Sequence, residues 1–144
     1  MSTTVRQMLA RKAQVLSVPP TATMLDALGL MAERNVGAAL IVDGDHLVGI
    51  VTERDYARKV ALRGRRSADT PVSEVMTTSV ITIGPEWTAD QCMVLMDEKH
   101  IRHLPVLEDG RLAGVISIRD AVRAIIEEQR FTIQELENYI GRGS

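Results

Sequence analysis

The chain states nearly the same passage twice. Gly49-Ile50-Val51-Thr52-Glu53-Arg54-Asp55 recurs as Gly114-Val115-Ile116-Ser117-Ile118-Arg119-Asp120, 65 positions later. At that shift Val15 to Arg58 overlays Val80 to Arg123 without a gap. Val15, Pro20, Thr23, Leu30, Met31, Glu33, Leu47, Gly49, Arg54, Asp55 and Arg58 meet identical partners. A repeat this short is one supersecondary unit that cannot bury its own apolar face, so two copies are expected to pack on each other. Two copies also predict two equivalent seams, and function is sought there.

Each copy reads strand, helix, strand, strand, helix. Val15 to Val18 forms a short apolar strand stopped by Pro19-Pro20. Thr23 caps a helix whose Met24, Ala27, Leu28 and Met31 follow helical spacing, ending near Asn35 to Gly37. Ala38 to Val42 is a buried strand, Asp43-Gly44-Asp45 a hairpin turn, and Leu47 to Val51 the returning strand. Thr52 opens a second helix through Leu62. The second copy repeats this with Val80 to Ile83, a helix from Thr88 to His100, Leu104 to Leu107, the Glu108-Asp109-Gly110 turn, Leu112 to Ile116 and a helix from Ser117.

The organisation follows: repeat one over residues 1–62, a polar, turn-rich linker over 63–71, repeat two over 72–127, and a C-terminal helical extension over 128–144. Val5 to Leu9 and Val72 to Met76 are matching segments ahead of the two copies. The first is followed by two more residues than the second, so Ala10 to Gln14 makes a longer loop. The fold class is α+β, two βαββα repeats related by a pseudo-twofold axis, plus the extended last helix. In that helix Val122, Ile126, Gln129, Ile133, Leu136 and Ile140 step alternately by four and three, a heptad seam. The seam either folds back on its own core or serves self-association.

Composition removes several function classes. A net charge of −2 and few aromatics disfavour broad attraction to nucleic acid or a base-stacking platform. A single cysteine, Cys92, excludes an intrachain disulfide framework and suits a reducing interior. Its apolar neighbours make it a core residue rather than a nucleophile. Met1 to Gln7 hold no apolar run of signal length, and no stretch approaches the roughly 20 apolar residues of a membrane span. A soluble, cytoplasmic protein is expected. His100 and His103 lack the cysteines or carboxylates that would complete a metal set, so no metal is expected. No Ser-His-Asp arrangement, phosphate-gripping Gly-Lys-Ser loop or paired-carboxylate site appears, which argues against an enzyme.

The chemistry sits where strand meets helix. In each copy a glycine ends a turn, two β-branched residues complete a strand, a hydroxyl residue opens a helix, and Arg-Asp follows. One reading is a capping box, which any helix can use. The other is a ribonucleotide site. Thr52 or Ser117 donates a hydroxyl to a phosphate oxygen, Arg54 or Arg119 pairs with phosphate, and Asp55 or Asp120 accepts from the two hydroxyls of a ribose. The apolar strands beside each corner would hold a flat base. Recurrence of the pattern at one register favours the second reading.

This pattern resembles the nucleotide motif of tandem CBS domains (the module named after cystathionine β-synthase), over roughly residues 5 to 127. Thr52 to Tyr56, Arg102 to Val106 and the long last helix are similar to stand-alone CBS-pair proteins of bacteria and plant organelles. The resemblance implies a non-catalytic sensor with two clefts for adenosine compounds: AMP foremost, with ADP, ATP, NAD(H) or S-adenosylmethionine as alternatives. It implies composite clefts. One would join Thr52, Arg54 and Asp55 to Ile81, Ile101, Arg102, His103 and Pro105. The other would join Ser117, Arg119 and Asp120 to Leu16, Val36, Gly37 and Ala38, with Arg11 and Lys12 nearby. Arg102 and His103 stand where copy one has Gly37 and Ala38, and Leu40 replaces Pro105, so the clefts are expected to differ. The implied partners are a nucleotide, a regulated protein of unknown identity and a second copy in a homodimer, with no nucleic acid and no membrane. A purely structural interaction module is the alternative.

Overall fold

Threonines at the turns decide where most helices begin. The computed structural model describes residues 2–12 and 15–143, with side chains through Gly141. Helices α1 (Val5–Leu9), α2 (Met24–Arg34), α3 (Glu53–Tyr56) and α4 (Ala89–Lys99) follow Thr4, Thr23, Thr52 and Thr88. Each threonine hydroxyl accepts a backbone N–H three residues on, and that residue's side chain accepts the threonine's own N–H. Two otherwise orphaned donors are thereby satisfied at each start. Helices α2 and α4 both stop at a left-handed residue, Asn35 at φ 54° and His100 at φ 55°. The strands are β1 (Ser17–Val18), β2 (Ala38–Asp43), β3 (His46–Thr52), β4 (His103–Glu108) and β5 (Arg111–Ser117), and α5 (Ile118–Gly143) closes the chain. This is the expected α+β class.

The chain divides into two compact units. One comprises Gln14–Ile81 with Asp109–Ala113; the other comprises Met1–Ala13, Thr82–Glu108 and Gly114–Ser144. Ala13 and Gln14 of the expected loop over residues 10–14 lie outside the described residues, as do Met1 and Ser144 of the outer segments.

In the unit built on the first repeat, β1 runs parallel to β2, with Ser17 opposite Leu40, and β2 runs antiparallel to β3, with Leu40 opposite Ile50. An irregularity at Ile41/Val42 shifts the register towards the Gly44-Asp45 turn, where Gly44 has φ 62°. Leu16, Val18, Met24, Ala27, Met31, Ala39, Ile41, Val51, Val60, Val72 and Val75 form its buried core. The helical spacing of α2 and the alternation of β3 deliver these residues to one side.

In the second repeat β4 and β5 form a two-stranded sheet, joined through Asp109 (φ 53°) and Gly110 (φ 77°), the positive pair a tight hairpin favours. Val5, Ile83, Ala89, Cys92, Leu104, Val106, Ile116 and Ala121 are buried. Burial in apolar surroundings pushes the Cys92 thiol up to about 11, which makes it the inert core residue expected.

Several expected elements are shorter or different. The first strand is Ser17–Val18 rather than Val15 to Val18, and its counterpart Val80 to Ile83 is reduced to one parallel bridge, Ile83 to Val106. The helix expected from Thr52 to Leu62 is α-helical only to Tyr56 and widens into a π turn over Ala57–Ala61. The linker also does structural work that its polar composition hides. Thr70 is buried, its hydroxyl donates to the Arg66 carbonyl at 2.8 Å, and its own carbonyl accepts the Met24 N–H at 2.7 Å. The N-terminal segment makes the equivalent bond to repeat two, Ala89 N–H to the Thr3 carbonyl at 2.9 Å. Val72 N–H likewise donates to Ala22 (2.8 Å), and Val5 N–H to Trp87 (2.7 Å). Each leading segment therefore docks on the repeat it does not precede. Among the described residues no helix is long and apolar enough to cross a membrane.

Candidate functional site

The two strand-to-helix corners share one local geometry. At the first, Thr52 N–H and hydroxyl both donate to Asp55 Oδ2, at 2.9 and 3.1 Å, and Asp55 N–H donates back to Thr52 Oγ1 at 3.1 Å. At the second, Ser117 N–H and hydroxyl donate to Asp120 Oδ2, at 2.8 and 2.9 Å, and Asp120 N–H donates to Ser117 Oγ at 3.2 Å. Both corners are thus capping boxes, and both aspartates are held in place before any ligand arrives. Arg54 and Arg119 are exposed beside them.

The corners differ in the cation that meets the carboxylate. Lys59, one helical turn beyond Asp55, places Nζ 3.1 Å from Asp55 Oδ1 and donates to the Val75 carbonyl at 2.9 Å. The equivalent of Lys59 in the second repeat is Ala124, which is buried. There Lys12 arrives from the longer N-terminal loop, with Nζ 2.7 Å from Asp120 Oδ2 and 2.8 Å from the Val115 carbonyl. Among the described residues all the side-chain hydrogen bonds of Asp120 converge on Oδ2, so Oδ1 keeps its acceptor capacity. Burial pushes the Asp120 carboxyl up, but Lys12 and the Ser117 backbone bond outweigh it and hold the group below its usual range.

The segment before each middle strand lies at the corner of its own repeat. Glu53 N–H donates to the Gly37 carbonyl at 3.1 Å, and Ala38 pairs with Thr52 across β2 and β3. Ile118 N–H donates to the Arg102 carbonyl at 2.9 Å. Gly37 and Ala38 therefore stand beside Thr52, and Arg102 beside Ser117, each within its own repeat. His103 is half-buried, and that burial lowers its pKa. Lys12 lowers it further and Asp120 acts against it, so both lie within electrostatic reach of the imidazole. Pro105 is buried and accepts the Ile83 N–H at 3.0 Å, while Ile101 is half-buried. Leu16 is buried and accepts the Leu40 N–H at 3.1 Å; Val36 is exposed and Ile81 half-buried. Arg11 pairs with Glu127 at 2.8 Å, away from Asp120.

Sequence reasoning missed Lys59. Its signal was present, since an Asp and a Lys four apart on a helix meet on one face. Among the described residues no group of three or more His, Cys, Asp or Glu could hold a metal ion.

With this geometry in hand, the comparison with known families is direct. The family model for the CBS domain matches twice, over residues 5–62 and 72–127. The chain belongs to the CBS-domain family. It is 42% identical over 126 residues to the mitochondrial CBS domain-containing protein CBSX3 of Arabidopsis thaliana, covering 84% of this chain and 61% of that one. The chain therefore spans about three-fifths of that relative's length. A CBS-domain structure from Burkholderia ambifaria, described as a candidate signal-transduction protein, superposes with a TM-score of 0.84. It shares 49% identity and covers 88% of this chain and 96% of its own.

Two other CBS structures carry adenosine ligands. The Pyrobaculum aerophilum protein, complexed with AMP, is 30% identical with a TM-score of 0.72, covering 81% of this chain and 88% of its own. The CBS pair of protein MJ0100, with 5-methylthioadenosine and S-adenosyl-L-methionine, is 25% identical with a TM-score of 0.78, covering 89% and 99%. A CBS-CP12 protein from bloom-forming cyanobacteria, 28% identical with a TM-score of 0.74 and 85% and 71% covered, is hexameric.

Proposed function

We propose that this CBS pair is a non-catalytic sensor that binds an adenine nucleotide, AMP foremost, at its hydroxyl–aspartate corners and passes the binding to a partner protein. The observation that carries this reading is the duplicated, preorganised carboxylate. Asp55 and Asp120 are each fixed by their own hydroxyl residue and each faced by a lysine. A ribose diol brings two donors, and an ionised carboxylate offers only acceptors, so the pairing needs no proton transfer. Arg54 at one corner, with Arg119 and Arg102 at the other, are exposed guanidiniums suited to a phosphate's oxygens. AMP and S-adenosylmethionine in two relatives support the ligand class.

On this reading the corners are not equivalent. Lys12 meets Asp120 only at Oδ2 and leaves Oδ1 for a ribose, whereas Lys59 meets Asp55 at Oδ1, so a ribose at the first corner must share or displace that ammonium. At the second corner the Lys12 ammonium stays beside the bound sugar, which favours nucleotides over uncharged nucleosides there. The first corner places Thr52, Arg54 and Asp55 with Gly37 and Ala38. The second places Ser117, Arg119 and Asp120 with Arg102, His103 and Lys12.

Ligand binding signals only if it has different affinities for two arrangements of the protein. The reading extends to a homodimer, and to a cytoplasmic or similarly reducing compartment that suits one buried thiol. Titration calorimetry with AMP, ATP and NADH tests it, with Asp55→Ala and Asp120→Ala as controls. Micromolar binding that each substitution weakens at one site is the expected result. Absence of heat for all three ligands up to about millimolar would reject the sensor. A partner that still binds the doubly substituted chain would favour the structural module instead.

A further inference from the structure

Helix α5 has two apolar faces, and its own unit covers only one. Ala121 and Ala124 are buried, Ile125 is half-buried, and α5 packs there against α1 and α4. At 100° per residue the heptad stripe Val122, Ile126, Gln129, Ile133, Leu136 and Ile140 is centred roughly a third of a turn away from that face. Its aliphatic members are exposed, from 39% at Val122 to 69% at Ile140. Every side chain from Gln129 to Ile140 is exposed, and among the described residues Gln134 bonds to Asn138 and Thr132 to the Glu128 carbonyl, both within the helix. A helical stretch of this length with its side chains exposed to water is marginal by itself. A strict four-three stripe is the narrow seam of a coiled coil rather than the broad face of a core helix.

We infer that this stripe is a self-association seam on which two copies of the chain pair antiparallel, with Ile133 against the second copy's Leu136. Charge selects both direction and register. One flank of the stripe carries Arg123, Arg130 and Glu137; the other carries Ile125, Thr132 and Tyr139. A parallel pair would set the charged flank against the uncharged one and leave the charges without partners. An antiparallel pair sets charged flank on charged flank. With Ile133 on Leu136, Arg130 faces the second copy's Glu137 twice over, and Gln129 lies opposite Ile140. Sliding one heptad towards the N-terminus sets Arg130 against itself, and one heptad the other way sets Glu137 against itself.

This inference names the surface and geometry of the homodimer in the proposed function but does not depend on nucleotide, so it is tested on ligand-free full-length chain. Light scattering on the wild type and on Ile133→Asp/Leu136→Asp is expected to show the order of assembly fall by a factor of two. Arg130→Glu alone and Glu137→Arg alone are each expected to weaken association about tenfold, since each reverses two symmetry-related pairs. The double exchange is expected to restore it to within about threefold of wild type, through the same two pairs reversed. An unchanged order of assembly in the aspartate variant, or single reversals that leave association unaltered, would overturn the seam. A calorimetric failure to bind nucleotide would leave these results as they stand.

Discussion

Lys12 reaches Asp120 across 108 residues of chain and holds it at 2.7 Å, where the first repeat uses Lys59, only four residues beyond Asp55. The two repeats thus neutralise the same carboxylate by different routes. The second has Ala124 where a local lysine would sit, and the loop that delivers Lys12, ahead of the first repeat, is two residues longer than its counterpart. The first corner is closed by its own helix. The second depends on the N-terminal segment staying docked.

Loss of these lysines should be unequal. The Lys12–Asp120 pair is largely shielded, with 28% and 19% of the side chains exposed, so Lys12→Met is expected to cost about 1–2 kcal/mol at neutral pH. Lys59 is 40% exposed, and Lys59→Met is expected to cost under about 1 kcal/mol. Urea unfolding of the two variants measures the difference. Equal losses would show that the through-space route carries no special weight.

Acid should weaken the fold in two steps. The His103 pKa is held below its ordinary 6.5, chiefly by burial, so the unfolded chain takes up that proton first. Stability therefore falls as pH drops below about 6.5 towards the lowered native value. The Asp120 pKa lies below its ordinary 3.8 because Lys12 and Ser117 overcome the burial penalty. Its contribution is complete above that value and is lost as pH falls through the native one. Unfolding midpoints from pH 7.5 to 3 should show both declines. His103→Gln should remove the first, and Lys12→Met should diminish the second.

The glycines that open each motif are constrained by contact rather than by φ. A Cβ at Gly49 would lie 2.5 Å from Met76 Sδ and 3.0 Å from the Thr77 carbonyl oxygen, while one at Gly114 would lie 2.5 Å from Leu9 Cδ2. Met76 and Leu9 belong to the leading segments docked there, and Thr77 directly follows Met76. A backbone oxygen yields less readily than a leucine methyl. Gly49→Ala is therefore expected to cost more than Gly114→Ala, both within about 1–3 kcal/mol. Adding Leu9→Ala should recover the steric part of the Gly114→Ala loss, and denaturant titration of the set is the check.

Cap and ligand roles can be separated at the hydroxyls. Thr52→Ala and Ser117→Ala should each cost about 1 kcal/mol of stability through the lost cap. Thr52→Ser should restore stability and nucleotide binding together. A Thr52→Asn variant, which caps well but offers an amide instead of a hydroxyl, should restore only stability. Equal nucleotide affinity in wild type and Thr52→Asn would remove the hydroxyl from the proposed site.

The parts of this protein written in local pattern were legible in its sequence. The threonine caps of α2 and α4, the stops at Asn35 and His100, the two hairpins and the duplicated Gly-to-Asp passage all act within a few residues. Their signals survive without any knowledge of what packs nearby. The sequence also marked the α5 stripe, because a four-three spacing is a property of one helix.

Tertiary structure decided what meets across distance. Nothing in the spacing of Arg11-Lys12 says which of the two docks on Asp120, and the structure sends Lys12 there and Arg11 to Glu127. Composition likewise cannot say that Thr3 and Thr70 cap the helices of the opposite repeats. It was also tertiary packing that left the α5 stripe in water while burying Ala121 and Ala124, since one helix has more apolar surface than one neighbour can cover. Local chemistry sets the elements, and long-range packing chooses the pairs, because a charge or a carbonyl is satisfied by whichever group the folded chain brings within 3 Å or so.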